Sequence, residues 1–279
     1  MKPFILHRPG ASDEVVELLS ELGASARIHA GGTDLMVQIR AGAVEVGHVV
    51  DLGRIPGLRL IREMDDGSVR IGAAATMCDV YSSGIINDRF PALADGARLV
   101  GSQQIQNRAT LVGNVCNASP AADAVPALHV HDARIRVIGP IGHRSVAIGG
   151  FAVGPGLTCL ERGEWVAGID LPLDGAGSSA YQKLGRTRGV DIAVAGAACR
   201  VSNSEVRVAF ASVGPTVIRG SHTEAALSEI RRFDEDVAAA VQLDISPIDD
   251  IRSSARYRRL VTPVLAKRAW ARAAGRVES

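Results

Sequence analysis

Apolar positions at three- and four-residue spacing mark the first helix of the chain. Val15, Val16, Leu18, Leu19 and Leu22 form one face of residues 12–22, with Ser12 in the capping position, Asp13 and Glu14 in the first turn and Gly23 at the end. Short apolar runs on either side, 4–6 and 27–30, read as strands, and a second helix is predicted from Asp34 to Ala41, closed by Gly42. Strands at 46–52 and 68–73 flank Asp65-Asp66-Gly67, which has a hairpin-turn signature. Thr76 caps a helix ending near Gly84. Another helix runs from Pro91 to Val100, with Leu93, Ala97 and Val100 on its buried side. Further strands fall at 134–138, 144–148 and 165–171, the last stopped by Pro172, with a loop at 151–156. Asp174-Gly175-Ala176-Gly177-Ser178-Ser179 is the strongest boundary signal. After it come strands at 180–184, 192–201 and 206–213, with Asn203 and Ser204 as a turn. Helices at 223–230, 234–241 and 252–274 follow, the last interrupted at Pro263.

Composition narrows the function classes. A chain of 279 residues, 47% hydrophobic, has material for two or three subdomains. A formal net charge of +1 argues against a general nucleic-acid surface, and 4% aromatics leave few stacking platforms for single strands. No apolar run reaches membrane-span length, and the first residues lack a signal-peptide pattern, so a soluble cytoplasmic protein is expected. Cys78, Cys116, Cys159 and Cys199 form no CxxC pair and suggest neither zinc nor an iron–sulfur cluster; they read as free thiols in the core. The basic residues Arg252, Arg256, Arg258, Arg259, Lys267 and Arg268 read as a solvated face of the last helix.

Candidate chemistry lies in two glycine stretches roughly eighty residues apart: Ala30-Gly31-Gly32-Thr33-Asp34-Leu35, and Ala109-Thr110-Leu111-Val112-Gly113-Asn114 continuing through Ala118-Ser119-Pro120-Ala121-Ala122-Asp123. Each offers small residues and hydroxyls where a backbone must approach something closely. The first follows a strand and opens a helix, an arrangement whose free N–H groups favour an anion such as pyrophosphate. Alone it is more often an ordinary tight turn, and it is neither GxGxxG nor a P-loop. The stretch from Gly101 to Thr110 is rich in amides but interleaved with apolar neighbours, which suggests partial burial against a polar ligand.

These motifs resemble, over essentially the whole length, the FAD-binding medium subunit of the molybdenum hydroxylases, the xanthine dehydrogenase and carbon monoxide dehydrogenase group. The residues from Ala30 to Leu35 are similar to that family's first FAD loop, and Thr110-Leu111-Val112-Gly113-Asn114 to its Thr-x-Gly-Gly-Asn loop. Asn117 to Asp123, Gly154-Pro155-Gly156, Ile169 to Pro172, Tyr181-Gln182-Lys183 with Arg186, Asp191-Ile192-Ala193 and Ala255-Arg256-Tyr257-Arg258 also fit. The implied fold is α+β: an FAD-binding region of the vanillyl-alcohol oxidase (PCMH) type over 1–173, in two α/β subdomains split near 55–60, then a smaller α/β domain of the CO dehydrogenase flavoprotein type over 174–279.

By the same resemblance, Ile28, His29, Ala30, Gly31, Gly32, Thr33, Asp34 and Leu35 wrap the FAD pyrophosphate, and Val100 lies along the cofactor. Thr110, Leu111, Val112, Gly113 and Asn114 complete the phosphate and ribityl contacts, Asp123 takes a polar part of the nucleotide, and Val166 and Lys183 approach the flavin. The family's first glycine in the second loop is Val112 here, a β-branched residue that resists positive φ. With no histidine in the covalent-flavin position, the FAD is expected to be non-covalent. The implied role is electron transfer: a molybdopterin large subunit oxidises substrate, an iron–sulfur small subunit with 2Fe-2S clusters relays single electrons, and FAD passes them to NAD or another acceptor, in a heterotrimer or dimer of heterotrimers. No side chain is singled out as a catalytic acid or base. A stand-alone FAD oxidase or monooxygenase, and a scaffold that has lost FAD, are the other readings.

Overall fold

The computed structural model describes residues 2–173, 175 and 177–277. Strand β1 (Ile5–His7), helix α1 (Ser12–Leu22), β2 (Ala26–His29), α2 (Leu35–Ala41) and β3 (His48–Asp51) build a three-stranded parallel sheet in the order β1-β3-β2. Ser12 is the first helical residue, with Ala11 in the cap position and no side-chain cap bond; Gly23 and Gly42 end the two helices, both with positive φ.

A hairpin of β4 (Ile61–Glu63) and β5 (Val69–Gly72) opens the second layer. The Asp65-Asp66-Gly67 turn therefore joins β5 to β4, a strand the sequence pattern does not reveal, while β3 belongs to the parallel sheet. Five short helices follow: α3 (Met77–Ser82), α4 (Gly84–Arg89), α5 (Pro91–Arg98), α6 (Gln103–Gln106) and α7 (Leu111–Cys116), then α8 (Val125–Val130). Thr76 and Asp79 form a reciprocal capping box on α3. Next come β6 (Arg134–Gly139), β7 (Gly142–Ala147), a small hairpin of β8 (Ala152–Gly154) and β9 (Leu157–Thr158) in place of the expected loop, and β10 (Trp165–Leu171). The second sheet is antiparallel, in the order β4-β5-β10-β6-β7. Ile61, Ile71, Ile169, Ile135 and Val146 are aligned across its five strands, a row that faces the core.

The third sheet holds β11 (Gly177–Leu184), β12 (Ala195–Ser202), β13 (Val206–Ala211) and β14 (Ile218–Arg219), in sequential order. Of the proposed boundary stretch, Asp174 and Ala176 lie outside the described residues, and Gly177, Ser178 and Ser179 already belong to β11. Strand alternation divides this sheet: Ala198, Ala209, Ala211 and Tyr181 join the core under α5 and α8, while Ala197, Cys199, Val208 and Phe210 pack against α9 (Ser221–Ile230), α10 (Glu235–Asp244) and α11 (Ala255–Val277).

Helix α11 runs through Pro263 without a break. The proline removes the N–H that would bond the Arg259 carbonyl, and the Gln242 side chain of α10 donates to that carbonyl at 2.8 Å instead. Arg258 departs from the expected solvated face. It is 2% exposed, donates to the Ser212 carbonyl at 2.8 Å and pairs with Asp250 at 2.6 Å. Cys199 is buried, and the other three cysteines are half-buried free thiols.

Candidate functional site

The first glycine turn leaves β2 and enters α2. Gly32 has φ +75, and a Cβ on Gly31 would stand 2.1 Å from the carbonyl oxygen of Arg108. The two glycine stretches are thus in backbone contact, and only a residue without a side chain permits it. Among the described residues, the N–H groups of Gly32, Thr33 and Asp34 donate to no protein acceptor, leaving a run of donors along the turn. His29 borders this turn, its Nδ1 3.2 Å from the Asp51 carboxylate.

The second stretch is pinned to the start of α3: Met77 N–H donates to the Ala109 carbonyl at 2.8 Å and Leu111 N–H to the Ala75 carbonyl at 3.2 Å. Thr110 caps α7, accepting from Gly113 N–H at 3.0 Å. Val112 lies inside α7 with none of the positive φ anticipated for that position, so its β-branch causes no backbone strain. The preceding amide-rich run is partly buried: Gln103, Gln104, Asn107 and Arg108 are exposed, while Ala109 and Thr110 are buried and Gln106 turns inward, to the Arg98 carbonyl.

Both stretches border one cavity of about 800 Å³, at the upper end of the range for cofactor sites. All of the residues proposed from the sequence line it except Leu111 and Lys183. Leu111 points into the core, fully buried. Lys183 stands behind the wall, 2.7 Å from the Asp123 carboxylate, and is neither on the cavity nor on the surface. Gly101 and Ile105, in the amide-rich stretch, also line the cavity, as do Trp165 and Val190, which the sequence pattern misses. Trp165 and Val166, consecutive on β10, both line it, just before the ladder slips between Val166 and Gly168.

Burial pushes Asp123 above the ordinary carboxylate range, opposed by Lys183 and Tyr181. Asp191, in the turn between β11 and β12, accepts from Arg186 N–H and guanidinium and is held down at about 2 by that arginine. Cys116 on the cavity wall is pushed up to about 12 by burial, so it stays a neutral thiol.

Two polar atoms in the cavity wall are buried without a protein partner, Asn114 Oδ1 and Trp165 Nε1. An acceptor and a donor so placed call for a polar partner. Together with the glycine turn that any Cβ would obstruct, they fit a large nucleotide cofactor: the class is a nucleotide-cofactor-binding α+β protein. Residues 2–174 match the family model described as FAD binding domain in molybdopterin dehydrogenase, and residues 179–273 the CO dehydrogenase flavoprotein C-terminal domain. The chain is 35% identical to the carbon monoxide dehydrogenase medium chain of Hydrogenophaga pseudoflava, over 97% of this chain and 98% of that one. It is 32% identical to a putative xanthine dehydrogenase FAD-binding subunit of Escherichia coli, over 94% and 93%. The solved carbon monoxide dehydrogenase of Hydrogenophaga pseudoflava superposes with a TM-score of 0.92 at 33% identity, covering 99% of each chain. The chain belongs to the molybdopterin dehydrogenase FAD-binding family and is an FAD-binding oxidoreductase subunit. Among the described residues no helix is long and apolar enough to cross a membrane, and no His, Cys, Asp and Glu cluster could hold a metal.

Proposed function

We propose that this chain is the electron-transfer subunit of a cytoplasmic molybdenum hydroxylase complex, receiving electrons from an iron–sulfur small subunit whose source is a molybdopterin large subunit, and passing them to NAD or another acceptor. The observation that carries the reading is the meeting of two glycine stretches, distant in sequence, across one cavity with a buried unpartnered acceptor at Asn114. Bound FAD supplies the chemistry, exchanging electrons singly with clusters and in pairs with a nicotinamide. The chain's own residues position and shield it. The free N–H groups of Gly32 to Asp34 would hold the pyrophosphate, and the Thr110 hydroxyl, already an acceptor from Gly113 N–H, has its own proton to donate. Val166 and Trp165 close one wall against water, and Val190 and Ile192, both exposed, border the side open to an acceptor. The division of the chain into an FAD-binding part over 1–173 and a smaller part over 174–279 belongs to this proposal.

The test is anaerobic reduction of the FAD-loaded chain by dithionite, followed by NAD. NADH formation with return of the oxidised flavin spectrum supports the reading. Reoxidation by oxygen alone, with turnover of a small molecule in the absence of partners, would replace it with a stand-alone oxidase.

A further inference from the structure

Asp123 is 6% exposed and lines the cavity, yet both its oxygens are engaged from behind. The Tyr181 hydroxyl donates to Oδ1 at 2.9 Å and the Lys183 ammonium to Oδ2 at 2.7 Å. The two donors are two residues apart on β11, so strand alternation aims both at one carboxylate. Lys183 spends its other two protons on the Leu99 carbonyl at 3.2 Å and the Asp191 carbonyl at 2.7 Å. Leu99 precedes Val100 and Asp191 borders the cavity, so one ammonium ties together three segments of its wall. The Tyr181 ring lies across Gly196, the β12 residue opposite Lys183, where a Cβ would lie 2.3 Å from the hydroxyl oxygen.

Resting on the FAD reading of the cavity, we infer that Tyr181 and Lys183 are positioning residues that act on the cofactor through Asp123, presenting its carboxylate as a fixed acceptor for a hydroxyl or N–H of the nucleotide. Each carboxylate oxygen retains a lone pair for that purpose. The other charged groups nearby are committed elsewhere. Asp191 turns its carboxylate to Arg186, and Asp95 of α5 accepts from Tyr181 N–H and pairs with Arg272 and Arg276 of α11. Lys183 is therefore the cation that favours the ionised carboxylate, against burial, which favours its neutral form.

The sign of the pH effect follows. Without the ammonium, Asp123 is ionised only at higher pH, so cofactor binding must improve as pH rises. The experiment is titration of the full chain with FAD, followed by flavin fluorescence, between about pH 6 and about pH 9. For Lys183→Met the expected Kd is about tenfold above wild type at the acid end and converges toward wild type at the alkaline end, with Lys183→Arg restoring the flat profile. The double variant Asp123→Asn/Lys183→Met leaves no buried charge and is expected to bind more weakly with no pH dependence. If Lys183→Met does not fold, Tyr181→Phe carries the test, with a smaller acid-side weakening. A pH-independent change in Lys183→Met, or wild-type binding and profile in the surviving variant, overturns the inference. A wild-type chain that binds no FAD at any pH overturns the cofactor reading itself.

Discussion

The two glycine stretches look alike in sequence and obey different physics. In the first, Gly32 occupies a left-handed conformation and Gly31 abuts the Arg108 backbone, so the absence of a side chain is demanded twice. In the second, every residue from Leu111 to Cys116 is helical, Gly113 N–H donates to the Thr110 hydroxyl at 3.0 Å, and a Cβ on Gly113 would meet only that hydroxyl, at 2.9 Å, and no backbone. A valine at position 112 is therefore compatible with the fold, whereas an alanine at position 31 is not. A glycine in a motif marks either a backbone conformation or a close approach, and only the structure says which.

The largest effect that would break this comparison is Gly31→Ala. A methyl group 2.1 Å from a carbonyl oxygen forces the two stretches apart, and FAD affinity is expected to fall roughly a hundredfold, about 2.8 kcal/mol, by flavin titration. Near-normal binding would mean the contact is dispensable. Next comes Val112→Gly, which restores the glycine the family pattern leads one to expect. It places a glycine inside a helix and removes a side chain that is 5% exposed, so unfolding should cost roughly 2 kcal/mol less in denaturant titration. Its FAD affinity should stay within about threefold of wild type, under 1 kcal/mol. A large gain in affinity would show that Val112 does obstruct the cofactor.

Thr110→Ala removes the cap of α7 and should lower stability by about 1 kcal/mol in the same assay, without disturbing the first turn. The smallest effect is expected at Ala118, a buried non-glycine residue at φ 47 between Asn117 and Ser119 of the cavity wall. Ala118→Gly relieves the left-handed strain but gains unfolded-state entropy, for a net stabilisation of about 0.5 kcal/mol. A loss of stability would indicate that the methyl group is needed for packing.

Much of this was legible because the elements carry their own punctuation. β10 stops where Pro172 follows it, and α1 ends at Gly23 after one apolar face. The cavity was legible through small residues placed where a backbone turns sharply or is approached closely. What escaped has local causes. β4 is three residues long and two of them, Arg62 and Glu63, are charged, so no alternation can register. α4 begins at Gly84, which reads as a helix end. Pro263 signals a break that the Gln242 side chain of another helix makes unnecessary. Lys183 stands behind the cavity wall because its ammonium is held by Asp123, Leu99 and Asp191, partners that no local pattern connects.

The central claim is that the two glycine stretches close on one non-covalent FAD. The most direct measurement is the visible absorbance of the purified chain before and after heat denaturation, with the supernatant examined for flavin. The account predicts a flavin spectrum in the native protein that passes wholly into solution on heating. A colourless chain that cannot be reconstituted with FAD, or a flavin that stays with the precipitated polypeptide, would contradict it.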